Sequence, residues 1–292
     1  MQPIRSVLAA TDFSAHADAA VRRAAQLATS LGASLHVLHV VDDVRLGLLR
    51  GLIPNVADVQ ARVLEKANGL MTKATAAIEG PCESRVEIGP LRPAIFSAAR
   101  DHDLLVLGAH GAHRARAALI GSTAERMLLR SERPMLVVKG KPAGPYQRVV
   151  VPCEDAEPAR RALEIALRVA PGARVTLVHA FEVEFEGMLR RSAVSSERIA
   201  QLRSDGAQRA QAWLESLTQG LEAAEAVGII VERGPASSVV LDLARRVDAD
   251  LIVMGKQGRS VAGEIFLGSV TRHVLAESRC DVLVVPASRD SN

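Results

Sequence analysis

The feature that most constrains this 292-residue sequence is a glycine pattern that occurs twice, with a constant separation of 147 residues between corresponding positions. An apolar run precedes each copy, and apolar residues at helical spacing follow it. The pattern reads G-x2-G-x9-G-S, and its members are Gly108, Gly111, Gly121 and Ser122 in the first copy and Gly255, Gly258, Gly268 and Ser269 in the second. One copy would be weak evidence, but two copies at one separation indicate an internal duplication.

The surroundings of the second copy predict its local structure. The run 250–254 is predicted to be a buried strand that ends at Gly255, and a helix is predicted to begin near Ser269. A strand, a glycine loop and a helix N-terminus form an arrangement in which backbone N–H groups and the helix dipole receive a phosphate. Glycine lets the backbone approach a ligand closely, and Ser269 is placed to cap the helix or to donate to a phosphate oxygen.

The pattern and its flanks resemble the universal stress protein family. The stretch 7–14, which reads VLAATDFS, is similar to the family's first strand and its terminal Asp, and the stretches 268–275 and 280–285 are similar to its closing helix and last strand. The resemblance covers nearly the whole chain as two tandem domains. It implies an α/β fold with two doubly wound, five-stranded parallel sheets of order 3-2-1-4-5, which is Rossmann-like and similar to the adenine nucleotide alpha hydrolases.

The order of predicted elements agrees with that fold, because strands alternate with helices along both halves and such alternation produces a parallel sheet. In the first half we predict a strand at 4–10, an N-cap at Ser14 and a helix over 19–31 that Gly32 ends. We expect one domain over residues 1–139, another over 146–292, and a linker rich in Gly and Pro at 140–145.

The last strand of each copy is predicted to pair with the other. These strands, 135–138 and 282–285, are short and apolar, and a bare apolar edge invites pairing with another edge. The resemblance implies the same contact, because single domains of the family pair through this strand about a two-fold axis. It also leads us to expect a homo-oligomer, a dimer of tandem chains.

Ligands of open α/β sheets bind beyond the carboxyl ends of the strands, where the winding reverses, so Asp12 and the loop 108–122 are expected to converge. The resemblance implies that ATP or a related adenine nucleotide binds there, with or without Mg²⁺. It places Asp12 against the ribose, the backbone near Val41 against the adenine, and the four pattern residues of the first copy against the ribose and phosphates. The pattern residues of the second copy would form the corresponding site.

The two sites are not expected to be equal. In the second half Glu154 stands where the family has Asp, and Asp155 follows it, so two acidic residues would repel a polyphosphate unless a cation intervened. We expect a cytoplasmic stress-response protein in which the nucleotide is a regulatory ligand. The alternatives are a slow ATPase and a partner-binding protein with degenerate pockets. Efficient catalysis is not expected, because the loop differs from the G-x4-G-K-[ST] pattern of an NTPase.

Other side chains near the loop are weaker candidates. His110 and His113 form an H-x2-H pair that could bind a metal, but no Cys or carboxylate of matching spacing accompanies them, so exposed loop histidines are the favoured interpretation. Arg114 and Arg116 could add positive charge. The pair Asp42–Asp43 could help to bind Mg²⁺, although a solvated strand end is favoured.

Buried-looking polar residues are expected to be structural. His36, His39 and His179 lie on predicted strands and are interpreted as packed core or strand-end residues, and Trp213 is expected to pack on its helix.

Composition excludes several classes of function. Aromatic residues make up only 2% of the sequence and the net charge is +3 without a long basic run, so we expect no nucleic-acid partner. No apolar run approaches about 18 residues, so we expect no membrane insertion. The first residues lack the apolar core of a signal peptide, and three scattered cysteines suit a reducing cytoplasm.

Overall fold

The computed structural model describes residues 3–44, 47, 56–111, 120–140, 143–183, 188, 191–192, 194–221, 226–256 and 267–286. The strands are β1 (Ser6–Ala10), β2 (Ser34–Asp42), β3 (Cys82–Gly89), β4 (Leu104–Gly108), β5 (Met135–Val138), β6 (Arg148–Pro152), β7 (Arg174–Phe181), β8 (Val227–Arg233), β9 (Leu251–Gly255) and β10 (Asp281–Val285). The helices are α1 (Ala15–Leu31), α2 (Val56–Thr75), α3 (Leu91–Arg100), α4 (Ser122–Arg130), α5 (Ala156–Val169), α6 (Ser196–Thr218), α7 (Ala236–Arg246) and α8 (Ser269–Glu277).

Local sequence explains where α1 begins and ends. The Ser14 side chain accepts a hydrogen bond from the Ala17 amide, so Ser14 is the N-cap and the helix begins at Ala15, earlier than the predicted Ala19. Gly32 ends it with φ of 63°, a left-handed conformation that glycine adopts without steric cost.

The described residues up to Pro145 form a compact unit together with the segment from Arg279 onward. Its strands follow the order β3-β2-β1-β4-β5-β10. The first five are parallel, so the predicted order 3-2-1-4-5 is confirmed in the first repeat. The inner strands β1, β4 and β5 are mostly apolar and buried on both faces, as expected for strands that helices cover on either side.

The last strand of the second repeat belongs to this first unit. β10 pairs antiparallel with β5, with Val282 opposite Val137 and Val284 opposite Met135. The prediction that the two last strands pair is therefore confirmed. The first unit consequently has six strands rather than the expected five, one of them antiparallel, because the apolar edge of β5 is covered by another apolar strand.

The described residues from Tyr146 to Ser278 form the second compact unit. Its strands follow the order β9-β6-β7-β8, and all of its pairs are parallel. This order repeats the arrangement β4-β1-β2-β3 of the first unit.

The duplication is also visible in matching hydrogen bonds. The Asp103 carboxylate accepts from the backbone amides of Arg5 and Ser6 at 2.8 and 3.0 Å. The Asp250 carboxylate accepts in the same way from the amides of Gln147 and Arg148, at 2.8 and 3.0 Å. Each aspartate therefore satisfies the donors at the start of its repeat's first strand.

The core is aliphatic, as the low aromatic content predicts. The largest side chains with almost no exposure are Leu8, Leu35, Leu38, Leu104, Leu105, Leu128, Met135, Leu136, Leu163, Ile165, Leu177 and Leu214. Within the described part of the chain, no helix has the length and apolar character needed to cross a membrane.

Candidate functional site

The ends of β1 and β4 place the two predicted halves of the site at one edge of the sheet. β1 lies between β2 and β4, so the strand order reverses there. Asp12 comes two residues after β1, and the glycine loop begins at Gly108, the last residue of β4.

The structure brings Asp12 and Gly111 together. A Cβ atom added to Gly111 would lie 2.9 Å from Oδ2 of Asp12, so a side chain there would press on the carboxylate. The other oxygen, Oδ1, accepts a hydrogen bond from the Ser14 amide at 3.1 Å. Both Asp12 and Gly111 are exposed, so the carboxylate and the loop backbone face solvent side by side.

The N-terminus of α4 packs on the same loop. The Gly121 amide donates to the Ala109 carbonyl at 2.8 Å, and a Cβ on Gly121 would lie 3.6 Å from the Gly111 nitrogen. Gly121 is the N-cap of α4 and makes no side-chain capping bond. The first-turn amides of α4 and its dipole therefore favour an anion next to the exposed Ser122.

Gly108 has a packing role that needs no ligand. A Cβ at Gly108 would lie 2.9 Å from the backbone carbon and oxygen of His16, so only glycine lets α1 approach β4 this closely. Val41, which was expected near the adenine, is half-buried near the end of β2, opposite Ile88 of β3.

The loop histidine is not simply solvated. His110 is half-buried and contacts His16 edge to face, with 5.2 Å between ring centroids. Gly258, His113, Arg114 and Arg116 lie outside the described residues. Across the part of the chain that is described, no group of three or more His, Cys, Asp or Glu residues could hold a metal ion.

The turn that carries Asp12 is strained, which the sequence did not indicate. Phe13 has φ of 61°, a left-handed conformation that costs a residue with a Cβ about 1–2 kcal/mol. The Phe13 amide donates to Oγ1 of Thr11 at 3.0 Å. Nδ1 of His39 lies 2.8 Å from the Thr11 carbonyl oxygen, and the His39 ring packs on the Phe13 ring at 4.3 Å.

The predicted structural roles of the strand histidines are confirmed. His36 packs edge to face on the buried His102, and His179 packs edge to face on Trp213. Nδ1 of His179 lies 2.9 Å from the Cys153 carbonyl oxygen, which repeats the His39 contact. A histidine at the same place of strand two in both repeats is the sequence signal that indicates this shared bond.

The two ends of the second glycine loop, Gly255 and Gly268, lie within the described residues. A Cβ on Gly255 would lie 3.0 Å from Cβ of Pro158 in α5, so this glycine also allows close helix packing. Gly268 is the N-cap of α8 and Ser269 is the first helical residue, so the capping role of Ser269 is wrong, and its alternative role as a donor to a phosphate oxygen stays a prediction. The backbone of Gly268 is not helical, as expected for an N-cap. The N-cap therefore lies one residue before Ser269.

Three details distinguish the described residues around the second candidate site from those around the first. Lys256 stands where the first repeat has Ala109; it is buried, and burial lowers its pKa to about 8. Glu154 is exposed, and Asp155, which corresponds to Phe13, has an extended φ of −118° instead of a left-handed one. Cys153 replaces Thr11 and is buried, which raises the pKa of its thiol to about 12.

The strand-end acid Asp42 accepts a hydrogen bond from the Val44 amide at 3.0 Å. Asp42 is the last residue of β2, and an aspartate side chain that bonds to the backbone two residues on is common in turns.

Comparison with known proteins agrees with the repeat structure. The family model described as universal stress protein family matches residues 3–139 and again residues 145–286. A universal stress protein of Thermus aquaticus is 31% identical over 150 residues, covering 48% of this chain and 98% of that protein. Universal stress protein E of Salmonella typhi is 27% identical over 207 residues, covering 64% of this chain and 62% of that protein.

The fold is shared with a solved structure as well. A universal stress protein from Archaeoglobus fulgidus superposes with a TM-score of 0.67 at 23% identity, covering 98% of this chain and 97% of that one. Because the family model matches both halves and nearly the whole length, the chain belongs to the universal stress protein family and consists of two tandem domains of it.

Proposed function

We propose that the first repeat binds an adenine nucleotide, ATP or a close relative, as a regulatory ligand of a stress-response protein. The observation that carries the proposal is the meeting of three features at one sheet edge: the Asp12 carboxylate, the backbone around Gly111, and the N-terminus of α4 capped by Gly121. The proposed site residues are Asp12, Val41, Gly108, Gly111, Gly121 and Ser122, with Gly255, Gly258, Gly268 and Ser269 as the weaker second set.

The chemistry of this group fits a nucleotide. Amide donors and a helix dipole favour the negative phosphates, and a carboxylate accepts hydrogen bonds from ribose hydroxyls. The carboxylate would repel phosphate, so the phosphates belong at the Gly121 end of the loop and the ribose at the Asp12 end. Mg²⁺, where present, would accompany the phosphates.

Isothermal titration with ATP tests the ribose contact through Asp12→Asn. Asn keeps an oxygen for the Ser14 amide but has no charge, so we expect affinity to fall about tenfold or more through a weaker hydrogen bond to the ribose. Glu154→Gln changes the corresponding residue of the second repeat and is the matched control, with no expected effect on this site.

The phosphate contact is tested by Gly121→Ala. An added Cβ would make only ordinary contacts, the nearest 3.4 Å from the Ala109 oxygen, so the fold should be retained while the methyl group covers the Gly111 amide. We expect roughly tenfold weaker ATP binding with an unchanged melting temperature. Unchanged affinity in both this variant and Asp12→Asn would refute the assigned site.

The same samples distinguish a regulatory ligand from the substrate of a slow ATPase. Phosphate release that stays at the level of buffer supports the regulatory role, whereas release that Gly121→Ala abolishes would favour the enzyme. Failure of the wild-type protein to bind ATP at millimolar concentration would favour a partner-binding protein with degenerate pockets. A cytoplasmic location and a dimer of tandem chains belong to the same proposal, and light scattering tests the dimer.

A further inference from the structure

One side chain from a neighbouring strand contacts the turn that carries Asp12. His39 lies 28 residues further along the chain, on β2, and its Nδ1 contacts the Thr11 carbonyl oxygen at 2.8 Å. A carbonyl oxygen can only accept, so Nδ1 carries the proton and donates. The face of the same imidazole packs on Phe13, with 4.3 Å between ring centroids and 35° between the rings.

His39 therefore holds the residues on both sides of Asp12. It bonds to the residue before the aspartate and packs on the residue after it, and that second residue is in the strained left-handed conformation. Strained residues persist only where surrounding contacts hold them, and they concentrate at functional sites. Two bonds lie within the turn itself: the Phe13 amide donates to Oγ1 of Thr11, and the Ser14 amide donates to Oδ1 of Asp12.

The second repeat provides an internal comparison. His179 bonds to the Cys153 carbonyl as His39 bonds to Thr11, so this bond belongs to the shared fold. The strained residue and the aromatic contact with it do not recur, because Asp155 is extended and the ring of His179 packs on Trp213. Of the two turns, therefore, the one in the first repeat combines the histidine bond with a left-handed residue that the same histidine ring packs on.

We propose that His39 is a positioning residue: by fixing the strained 11–14 turn, it aims the Asp12 carboxylate at the glycine loop, where it accepts from the ribose. This inference rests on the proposed function, because it concerns the same site. The residue itself touches Thr11 and Phe13, and it acts on the ligand through Asp12. Its loss should therefore remove only the part of the affinity that Asp12 supplies.

Titration of ATP and of 2′,3′-dideoxy-ATP separates positioning from general support of the fold. His39→Leu removes the donor at similar volume and should weaken ATP binding about tenfold, while binding of the dideoxy analogue changes less than about twofold. His39→Asn restores a side-chain N–H and should recover most of the ATP affinity. His179→Leu, the same change in the second repeat, should leave the site unaffected.

Two outcomes of the titration would overturn the proposal. Equal losses for ATP and the dideoxy analogue would show general damage to the site, and no loss at all would show that the bond is dispensable. In addition, Asp12→Asn and the double variant Asp12→Asn/His39→Leu should bind ATP equally, because His39 acts on the ligand only through the Asp12 carboxylate. Additive losses would contradict that dependence.

A second measurement needs no ligand and separates this inference from the proposed function. Hydrogen exchange of the Phe13 and Ser14 amides should accelerate about tenfold or more in His39→Leu and stay unchanged in His179→Leu. Unchanged protection in His39→Leu would overturn the positioning role even in a protein that binds ATP. Faster exchange in a protein that fails to bind ATP would support the positioning role while refuting the proposed function.

Discussion

At the scale of single residues, the glycines after β4 meet two different needs. Gly108 is required because α1 packs against it, and a Cβ would overlap the His16 backbone whether or not a ligand binds. Gly111 and Gly121 instead leave open the surface between Asp12 and the α4 N-terminus. Substitutions at these positions therefore test different things: Gly108 tests the fold, and Gly121 tests binding.

Burial of Lys256 makes the free energy of unfolding depend on pH. Its pKa is lowered from 10.5 to about 8 by burial, so between pH 8 and 10.5 the unfolded chain holds a proton that the folded chain has lost. Stability rises with pH wherever the unfolded state binds more protons. The cost of the buried charge is therefore present below pH 8 and disappears as the pH approaches 10.5.

We predict that the wild-type protein gains stability relative to Lys256→Met as the pH rises from 8 to 10.5. The relative gain in the free energy of unfolding is at most roughly 3 kcal/mol, because the pKa of Lys256 is about 8 in the folded protein and 10.5 in the unfolded chain. Urea unfolding of both proteins at several pH values measures it. A difference between the two proteins that stays constant across this range would show that Lys256 has an ordinary pKa.

At the scale of elements, α1, β10 and the segment after β5 are joined by a buried ion pair within the first unit. Nε of Arg23 lies 3.3 Å from the Asp281 carboxylate, and the two side chains are only 8% and 5% exposed. Arg23 also donates to the Gly144 carbonyl at 2.7 Å, and Asp281 accepts from the Lys139 amide at 2.8 Å. The pair therefore bonds to Lys139, which precedes the predicted linker 140–145, and to Gly144 within it.

Removal of one partner should be more damaging than removal of both charges. Arg23→Met removes the guanidinium that neutralises the buried Asp281 carboxylate, and we expect the free energy of unfolding to fall by about 3–5 kcal/mol. In Arg23→Met/Asp281→Asn the charge is absent and an oxygen still accepts from Lys139, so most of that loss should be recovered. Urea denaturation followed by circular dichroism measures both variants, and a double variant less stable than the single one would contradict this account.

At the scale of the whole molecule, the two repeats share a backbone plan but differ in the side chains at the corresponding sites. Both have the aspartate that caps the first strand, the histidine of strand two and the glycine that packs on a helix. The first repeat alone has the strained turn with Asp12, whereas the second has Glu154, an extended Asp155 and the buried Lys256.

This inequality predicts one nucleotide per chain at saturating ATP, bound in the first repeat. Acidic residues beside a polyphosphate weaken binding, and the second repeat has two of them after its first strand. Titration of the wild-type protein should give a stoichiometry near one, and Asp12→Asn should weaken that single event while Glu154→Gln leaves it unchanged. Two equal sites per chain would contradict the prediction.

The sequence by itself determined the duplication, the alternation of strands and helices, and the meeting of Asp12 with the glycine loop. The duplication and the element order can be predicted because the period of apolar residues and the spacing of glycines are local properties of the sequence. The meeting of Asp12 with the loop can be predicted because parallel strands bring their carboxyl ends to one edge of the sheet. The two glycine patterns also indicated the family, because their spacing can be read directly from the sequence.

Only the tertiary structure decided the register in which β10 pairs with β5, the ion pair of Arg23 with Asp281, the packing role of Gly108 and the contacts of His39 with the Asp12 turn. Each of these joins residues far apart in the chain. The sequence pattern identifies a residue as apolar, charged or small, but which partner it meets depends on how the strands and helices pack, because such contacts form only after distant segments are brought together.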